Sequence, residues 1–127
     1  MRGQRYTVIG YGGKQVRDNI HSFDLVNAFW QFFERPRTAE VYNMGGGRHA
    51  SCSVLEAIAL TERLTGRPMR TSYAEASRAG DHKWWISDTR RLQRHYPAWQ
   101  LTRKIEDMIH EIHAEIASHA ASGVSPA

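Results

Sequence analysis

The stretch GKQVRDNIHSFDLVNA, residues 13–28, decides the fold because it joins an extended segment to a helix. Residues 15–22 follow a glycine-rich turn and predict an extended segment. Asp24 then stands as a first-turn acid or cap of a helix that ends before Pro36. The apolar positions of this helix recur at helical spacing, so we expect a buried face made of Leu25, Phe29, Phe32 and Phe33.

Short strands and helices alternate along the rest of the chain. We predict strands at 6–10, 40–44 and 69–73, and a right-handed parallel crossover between the last two. The helix between them begins at a capping box of Ser53 and Glu56 and ends at Gly66. This order predicts an α/β protein.

The C-terminal part is helical from Asp88, with a break at Tyr96-Pro97. The last helix carries an apolar stripe of Ile105, Met108, Ile109, Ile112 and Ile116. Beyond it the apolar periodicity is lost. We therefore predict one ordered unit over residues 1–119, containing about four helices, and a disordered tail over residues 120–127.

The composition indicates one domain without a membrane span. Of the 127 residues, 41% are hydrophobic and 24% are charged, as in ordinary single domains. No run approaches the roughly 20 apolar residues of a membrane helix, and the N-terminus lacks the features of a signal peptide. The single cysteine, Cys52, is consistent with a reducing compartment. We expect a cytoplasmic protein in which Cys52 is a small core or loop residue.

The basic character has three interpretations: nucleic-acid binding, a ligand with two phosphates, and ordinary solvated surface, which explains most of the excess. A formal charge of +4 and a pI near 9.6 would suit nucleic-acid binding if the basic residues shared one face. They are instead spread from Arg2 to Lys104. A ligand with two phosphates explains an excess of arginine equally well, so nucleic-acid binding is the less favoured interpretation.

Two further segments are similar to known site motifs, a dinucleotide-binding loop and a zinc-protease motif, but we predict neither site. The segment GGGRHA, residues 45–50, fits a dinucleotide-binding loop, but the acidic residues downstream, Glu62 and Glu75, are misplaced for the ribose. We predict a structural turn there. His110 and His113 are one residue too close for a zinc-protease motif, and we predict histidines on a solvated helix face.

Arginine and aspartate recur at two glycine-marked bends. Arg17 follows the first bend, where its five-donor fork suits phosphate oxygens; an ion pair with Asp18 or Asp24 is the alternative. The second bend lies in RAGDHKWWISD, residues 78–88. There Arg78 can reach a phosphate and Asp81 can accept two ribose hydroxyls. The paired tryptophans that follow predict one core residue and one on the ligand side.

Together the two stretches resemble the substrate-binding half of nucleotide-sugar epimerases of the extended short-chain dehydrogenase/reductase family. The specific likeness is to the CDP-paratose (CDP-tyvelose) 2-epimerases, and it runs from about Thr7 to Ile116. The resemblance implies an isomerase in which tightly bound NAD oxidises a sugar carbinol and returns the hydride to the opposite face.

The resemblance also implies roles for individual residues. Arg17 and Arg78 would contact the diphosphate and Asp81 the ribose. Trp85 would face the pocket, with His82 near the sugar or phosphate. The edge-strand backbone at Thr7, Val8 and Ile9 would read the base.

The catalytic groups of that family stand upstream of the matched region. None of the five tyrosines of this chain has a lysine four positions later, and we assign no catalytic residue here. We predict a C-terminal fragment of an extended Rossmann-type epimerase, inactive alone, with NAD held by an upstream half. The alternative is a non-enzymatic nucleotide-sugar binding or interaction module. We count a second copy of the chain among the expected partners.

Overall fold

A computed structural model describes residues 4–77 and 79–121, which form an α/β fold. The strands are β1 (Tyr6–Ile9), β2 (Val16–Asp18), β3 (Ser51–Ser53), β4 (Thr71–Ala74) and β5 (Trp84–Trp85). The helices are α1 (Ser22–Glu34), α2 (Val54–Thr65), α3 (Arg90–His95) and α4 (Ile105–Ala121). The predicted fold class, with short strands and four helices, is confirmed.

The strands form two small sheets. In one, β1 pairs in parallel with β4. In the other, β2 is central, antiparallel to β3 and parallel to β5, so Arg17 lies between Cys52 and Trp85. The central strand therefore places Arg17 in the middle of the sheet.

The predicted strand at 40–44 is wrong, because this segment is irregular in the structure. Tyr42 and Met44 pack against the core whereas Val41 is 76% exposed, so the alternation in the sequence is real. A strand also needs a hydrogen-bonded neighbour, and none of the described strands pairs with this segment. The predicted crossover is wrong for the same reason, since β4 pairs with β1.

Asp24 lies in the first turn of helix α1, which is one of its two predicted roles, and the N-cap is a different residue. The N-cap is His21, whose Nδ1 accepts a hydrogen bond of 3.1 Å from the Phe23 amide. Asp24 is fully buried and accepts from the Thr102 amide (3.0 Å), the Thr102 hydroxyl (2.6 Å) and the Arg103 amide (3.2 Å). Asp24 thus ties α1 to the turn that precedes α4.

The predicted buried face of α1 is also wrong. Phe29 is 55% exposed, Phe32 40% and Phe33 73%, and the buried apolar residue is Ala28. The small Ala28 lets α1 approach a core formed with Leu92, Tyr96 and Trp99. Phe29 and Phe33 are not part of this core, whereas the Phe32 ring makes an edge contact with Tyr96, at 6.4 Å between ring centres.

A second core lies between α2 and α4. It is formed by Ala50, Leu60 and Ile105, with Met108 and Ile109 packed against it. The remaining residues of the predicted stripe, Ile112 and Ile116, are 60% and 44% exposed. The helix continues through Ala121, and the rest of the predicted tail, residues 122–127, lies outside the described residues.

The start of α2 follows the sequence prediction closely. The Ser53 side chain accepts from the Glu56 amide (3.2 Å), and the Ser53 amide donates to Glu56 Oε2 (2.7 Å). The hydrogen bonds to Ser53 lower the pKa of the Glu56 carboxyl. The predicted capping box is present, and Gly66 ends the helix with a φ of 65°.

Candidate functional site

A cavity of about 370 Å³ opens beside β1 and β2. Its walls are formed by Tyr6, Thr7, Ile9, Gln15, Arg17, Val54 and Asp81. Four residues that the sequence singled out therefore share one cavity: Thr7, Ile9, Arg17 and Asp81.

Arg17 and Asp81 are ion-paired inside this cavity. Arg17 Nη2 donates to Asp81 Oδ1 at 2.6 Å, and Nη1 donates to the Val16 carbonyl at 2.8 Å. The predicted alternative partners, Asp18 and Asp24, do not pair with Arg17. Asp18 Oδ2 accepts from the amides of Gly47 (3.1 Å) and Ser87 (2.9 Å), and Asp24 holds Thr102. Arg17 pairs with a carboxylate that is 64 positions away.

The loop that carries Asp81 is fixed to the turn after β1. The Tyr11 hydroxyl donates to the Asp81 backbone carbonyl at 3.3 Å, and Lys83 Nζ lies 5.1 Å from the centre of the Tyr11 ring. Gly80 has a φ of 77°, which favours glycine, and permits the bend that turns Asp81 inward. Arg78, the other arginine assigned to this loop, lies outside the described residues.

Trp85 stands opposite Arg17 in the sheet register. Its ring centre is 5.0 Å from that of His82, with the planes at 43°. Trp84 and Trp85 are 65% and 53% exposed, so the prediction of one core tryptophan is wrong. Strand β5 lies at the sheet edge and is two residues long, which leaves both of its faces uncovered by the described residues.

Strand β1 alternates over its last three residues as expected of a half-buried strand, whereas Tyr6 at its start is exposed and also lines the cavity. Thr7 and Ile9 line the cavity, whereas Val8 is 5% exposed and does not line it. The Thr7 hydroxyl lies 3.0 Å from that of Ser72 on β4. The Val8 side chain therefore belongs to the packing, not to the cavity wall.

Sequence reasoning missed three cavity residues, Tyr6, Gln15 and Val54. Gln15 is buried, and its Nε2 donates to the Ile9 carbonyl, which joins the end of β1 to the segment before β2. A signal for Gln15 was present, because residues i and i+2 of an extended segment share a face and Gln15 precedes Arg17 by two. Val54 is the first residue of α2, and no sequence signal marked it.

The glycine run at 45–47 is a structural turn, as predicted. A Cβ at Gly46 would collide with the carbonyl oxygen of Asn19. The Gly47 amide is already engaged by Asp18 Oδ2. The loop is therefore closed by the protein's own groups and does not fit the pyrophosphate of NAD.

A second cavity, of about 540 Å³, lies beside Trp84 and is separate from the first. Its lining includes Arg48, Asp88 and Arg90. Arg90 donates to both carboxylate oxygens of Asp88, at 2.6 to 3.1 Å, and thereby lowers the pKa of Asp88 to about 2. The same pairing raises the pKa of the Arg90 guanidinium.

The described residues carry neither a metal-binding cluster nor a membrane-spanning helix. Over residues 4–77 and 79–121, no group of three or more His, Cys, Asp or Glu side chains could hold a metal ion. His110 is exposed and His113 is half-buried on α4. None of the helices in the described part is both long and apolar enough to cross a membrane.

Comparisons with known proteins point to one class of enzyme. No protein-family model matches the chain. The chain is 33% identical, over 95 residues, to the putative UDP-arabinose 4-epimerase 2 of Arabidopsis thaliana. The match covers 73% of this chain and 22% of that protein.

Solved structures with the same fold include nucleotide-sugar epimerases and a dTDP-glucose 4,6-dehydratase from Bacillus anthracis. The UDP-glucuronic acid 4-epimerase of Bacillus cereus, in complex with UDP-glucuronic acid and NAD, matches with a TM-score of 0.73 and 21% identity. The match covers 85% of this chain and 33% of that one. The UDP-glucose 4-epimerase of Bifidobacterium longum, with NAD⁺ and UDP, matches with a TM-score of 0.68 and 27% identity, over 81% of this chain and 32% of that one.

The chain therefore has the fold of one part of NAD-dependent nucleotide-sugar epimerases. It spans about a fifth of the curated relative's length (22%) and about a third of the two solved chains (33% and 32%). NAD is present in both of those solved structures.

Proposed function

We propose that the chain is the substrate-binding part of an NAD-dependent nucleotide-sugar epimerase of the extended short-chain dehydrogenase/reductase family. The observation that carries this proposal is the meeting of Arg17 and Asp81, 64 positions apart in sequence, in one cavity. A guanidinium beside a carboxylate offers donors for phosphate and acceptors for sugar hydroxyls, the two polar features of a nucleoside diphosphate. The cavity volume of about 370 Å³ is in the range of small-molecule sites.

Each residue is assigned a role within this proposal. Arg17 contacts the diphosphate, and Asp81 accepts the ribose hydroxyls. His82 and Trp85 form the sugar side, and the backbone of β1 contacts the base. The described lining contains one cation and one anion, Arg17 and Asp81, so a diphosphate requires a further positive charge. We assign that charge to Arg78.

The finer assignment within this class is a CDP-linked deoxysugar and a 2-epimerase. It rests on the resemblance of residues 13–28 and 78–88 to CDP-paratose (CDP-tyvelose) 2-epimerases. The relatives found by comparison are named for UDP-sugars, so the base is the least supported part of the proposal. A cytoplasmic location is proposed from the single cysteine.

NAD is proposed to bind outside these 127 residues. The glycine loop at 45–47 does not fit NAD. The Gly47 amide already donates to Asp18 Oδ2, and the Asn19 carbonyl oxygen lies against Gly46, so the amide and the space that a pyrophosphate would need are taken. Purified 127-residue chain should therefore contain no stoichiometric NAD and should not epimerise CDP-sugars. Mass spectrometry of the denatured protein measures the first, and stoichiometric NAD would contradict this assignment.

Calorimetric titration of the 127-residue chain with CDP and UDP tests the binding site. Arg17→Ala should weaken CDP binding by roughly 1.5 to 3 kcal/mol, the worth of a charge-assisted hydrogen bond. Arg78→Ala should have a similar effect. The control is Arg94→Ala, which should leave affinity unchanged because Arg94 lines a separate depression with Asn43 and Arg91. Equal CDP affinity in the wild type and Arg17→Ala would refute the site, and tighter binding of UDP would correct the base.

A second candidate is a nucleotide-sugar binding module without catalysis. It is favoured by one observation, the lack of a Tyr-x-x-x-Lys pair within the 127 residues. The genomic reading frame separates the two candidates. An upstream Gly-rich NAD loop and Tyr-x-x-x-Lys pair would support the epimerase, and their absence from the frame and its neighbours would support the module.

A further inference from the structure

Arg17 and Asp81 are assigned to the ligand, yet in this structure they bind each other. The 2.6 Å contact joins Arg17 Nη2 to Asp81 Oδ1, and the two side chains are 39% and 23% exposed. A ligand that uses both residues must therefore meet an ion pair that is already formed.

The two residues are held unequally. Arg17 has a second contact, from Nη1 to the Val16 carbonyl at 2.8 Å, which keeps its head group near β2. The carboxylate of Asp81 has only Arg17 as a partner within residues 4–77 and 79–121, and its Oδ2 accepts no hydrogen bond there. The Asp81 backbone is anchored separately, through the Tyr11 hydroxyl at 3.3 Å. The carboxylate can thus leave Arg17 without displacing its loop.

A diphosphate and Asp81 compete for the same guanidinium. A partly exposed ion pair contributes little to stability, corresponding to at most about a fivefold change in an equilibrium constant. A phosphate group offers Arg17 several charged oxygens in a geometry that suits its fork, and this interaction is stronger. A diphosphate beside Arg17 also repels the Asp81 carboxylate, because both are anionic.

We infer that Arg17 exchanges partners when ligand binds. The diphosphate takes the guanidinium from Asp81, and the released carboxylate accepts both hydroxyls of a vicinal diol on the same ligand. The ion pair therefore makes the two contacts interdependent and selects ligands that carry both groups. This inference rests on the proposed nucleotide-sugar site and adds a role in specificity to Asp81.

The test compares ligands that carry one group or both. Pyrophosphate has no diol, cytidine has no phosphate, and CDP has both. Calorimetric affinities are measured for the 127-residue chain, Asp81→Asn and Arg17→Gln. Asp81→Asn should bind pyrophosphate about twofold to fivefold more tightly, because the competing carboxylate is gone.

The reciprocal variant should show the opposite selectivity. Arg17→Gln should bind pyrophosphate at least about tenfold more weakly, because a charge-assisted contact is lost. It should bind cytidine about twofold to fivefold more tightly, because Asp81 is then free. If Asp81 had a purely structural role, Asp81→Asn would not bind pyrophosphate more tightly and Arg17→Gln would not bind cytidine more tightly.

Asp88→Asn is the matched control. Like Asp81→Asn, it removes one negative charge from an ion pair. The exposed Asp88–Arg90 pair lies outside the Arg17 cavity. Pyrophosphate affinity should be unchanged in this variant. Circular dichroism of all variants verifies that the fold is retained.

The outcomes separate this inference from the proposed function. If the wild type binds CDP but Asp81→Asn binds pyrophosphate equally or more weakly, the exchange is overturned and the site stands. Unchanged cytidine affinity in Arg17→Gln likewise overturns the exchange. If the wild type binds none of CDP, UDP or pyrophosphate, the proposed site fails and the exchange fails with it.

Discussion

Cys52 stands opposite Arg17 in the sheet, on the strand that leads into α2. Its side chain packs against the apolar cluster of Ala50, Leu60 and Ile105. Burial raises the pKa of the Cys52 thiol, with smaller contributions from the carboxylates of Glu56 and Glu106. The folded chain therefore favours the neutral thiol.

We expect the reaction of Cys52 with iodoacetamide to require a higher pH in the folded chain than in the unfolded chain, because the thiol pKa is raised. The midpoint of the rate profile should lie above that of the unfolded chain, about pH 8.5. The raised pKa of the Cys52 thiol also makes a small contribution to the free energy of unfolding. This contribution is fully present below the pKa of the unfolded chain and is lost as the pH rises through the pKa of the folded chain. The denatured chain is the control, and coincident midpoints would contradict the prediction.

At the scale of single residues, the sequence did not identify the ion-pair partner of Arg17. Arg17 and Asp81 were selected through the family resemblance of residues 13–28 and 78–88, and their assignment to a ligand stays a prediction. The predicted ion-pair partners were the nearby carboxylates Asp18 and Asp24, whereas the observed partner is 64 positions away. Sequence proximity carried no information here, because backbone amides and the Thr102 hydroxyl already engage the nearby carboxylates.

At the scale of elements, local signals were sufficient for the helices and for strands β1 and β4, and insufficient for strand pairing. The capping box at Ser53 and the end at Gly66 use groups within one turn, so the sequence contains the whole interaction. A strand depends on a partner elsewhere in the chain. Residues 40–44 have strand-like alternation without a described partner, whereas the short strands β3 and β5 exist because β2 lies between them.

Helix α1 is joined to the turn before α4 through Asp24. Asp24→Ala would remove the acceptor of three donors at Thr102 and Arg103, and we expect a loss of roughly 3 kcal/mol or more in unfolding free energy. Chemical denaturation measures this loss. Asp107→Ala is the control, because exposed Asp107 accepts one hydrogen bond, from Lys104, and should cost about 1 kcal/mol or less. Similar losses in both variants would contradict the anchoring role.

At the scale of the whole molecule, helix α1 carries four exposed apolar side chains at helical spacing. Val26, Phe29, Trp30 and Phe33 are 55% to 73% exposed. Contiguous apolar surface of this kind is typical of protein contacts. The sequence marked these residues as apolar at helical spacing, but it could not show which face Ala28 would bring to the core.

The 127-residue chain should self-associate through α1 at high concentration. Phe33→Ser should lower the association, because Phe33 is the most exposed of these side chains at 73%. Val41→Ser is the control, since Val41 is equally exposed (76%) but lies off the helix. Sedimentation velocity measures the effect, and a monomer at all concentrations would count against it.

Strand β1 pairs with a strand that is far from it in the sequence: Tyr6 pairs with Thr71, and Ile9 pairs with Ala74. Closing so large a loop costs entropy before any strand contact is gained, so such pairings form late in folding. Helices α2 and α4, by contrast, can begin to form from neighbouring residues. During synthesis, the wall of the Arg17 cavity cannot be complete until Asp81 has left the ribosome. A chain under thermal or chemical stress should then lose its ability to bind ligand before it loses its helices.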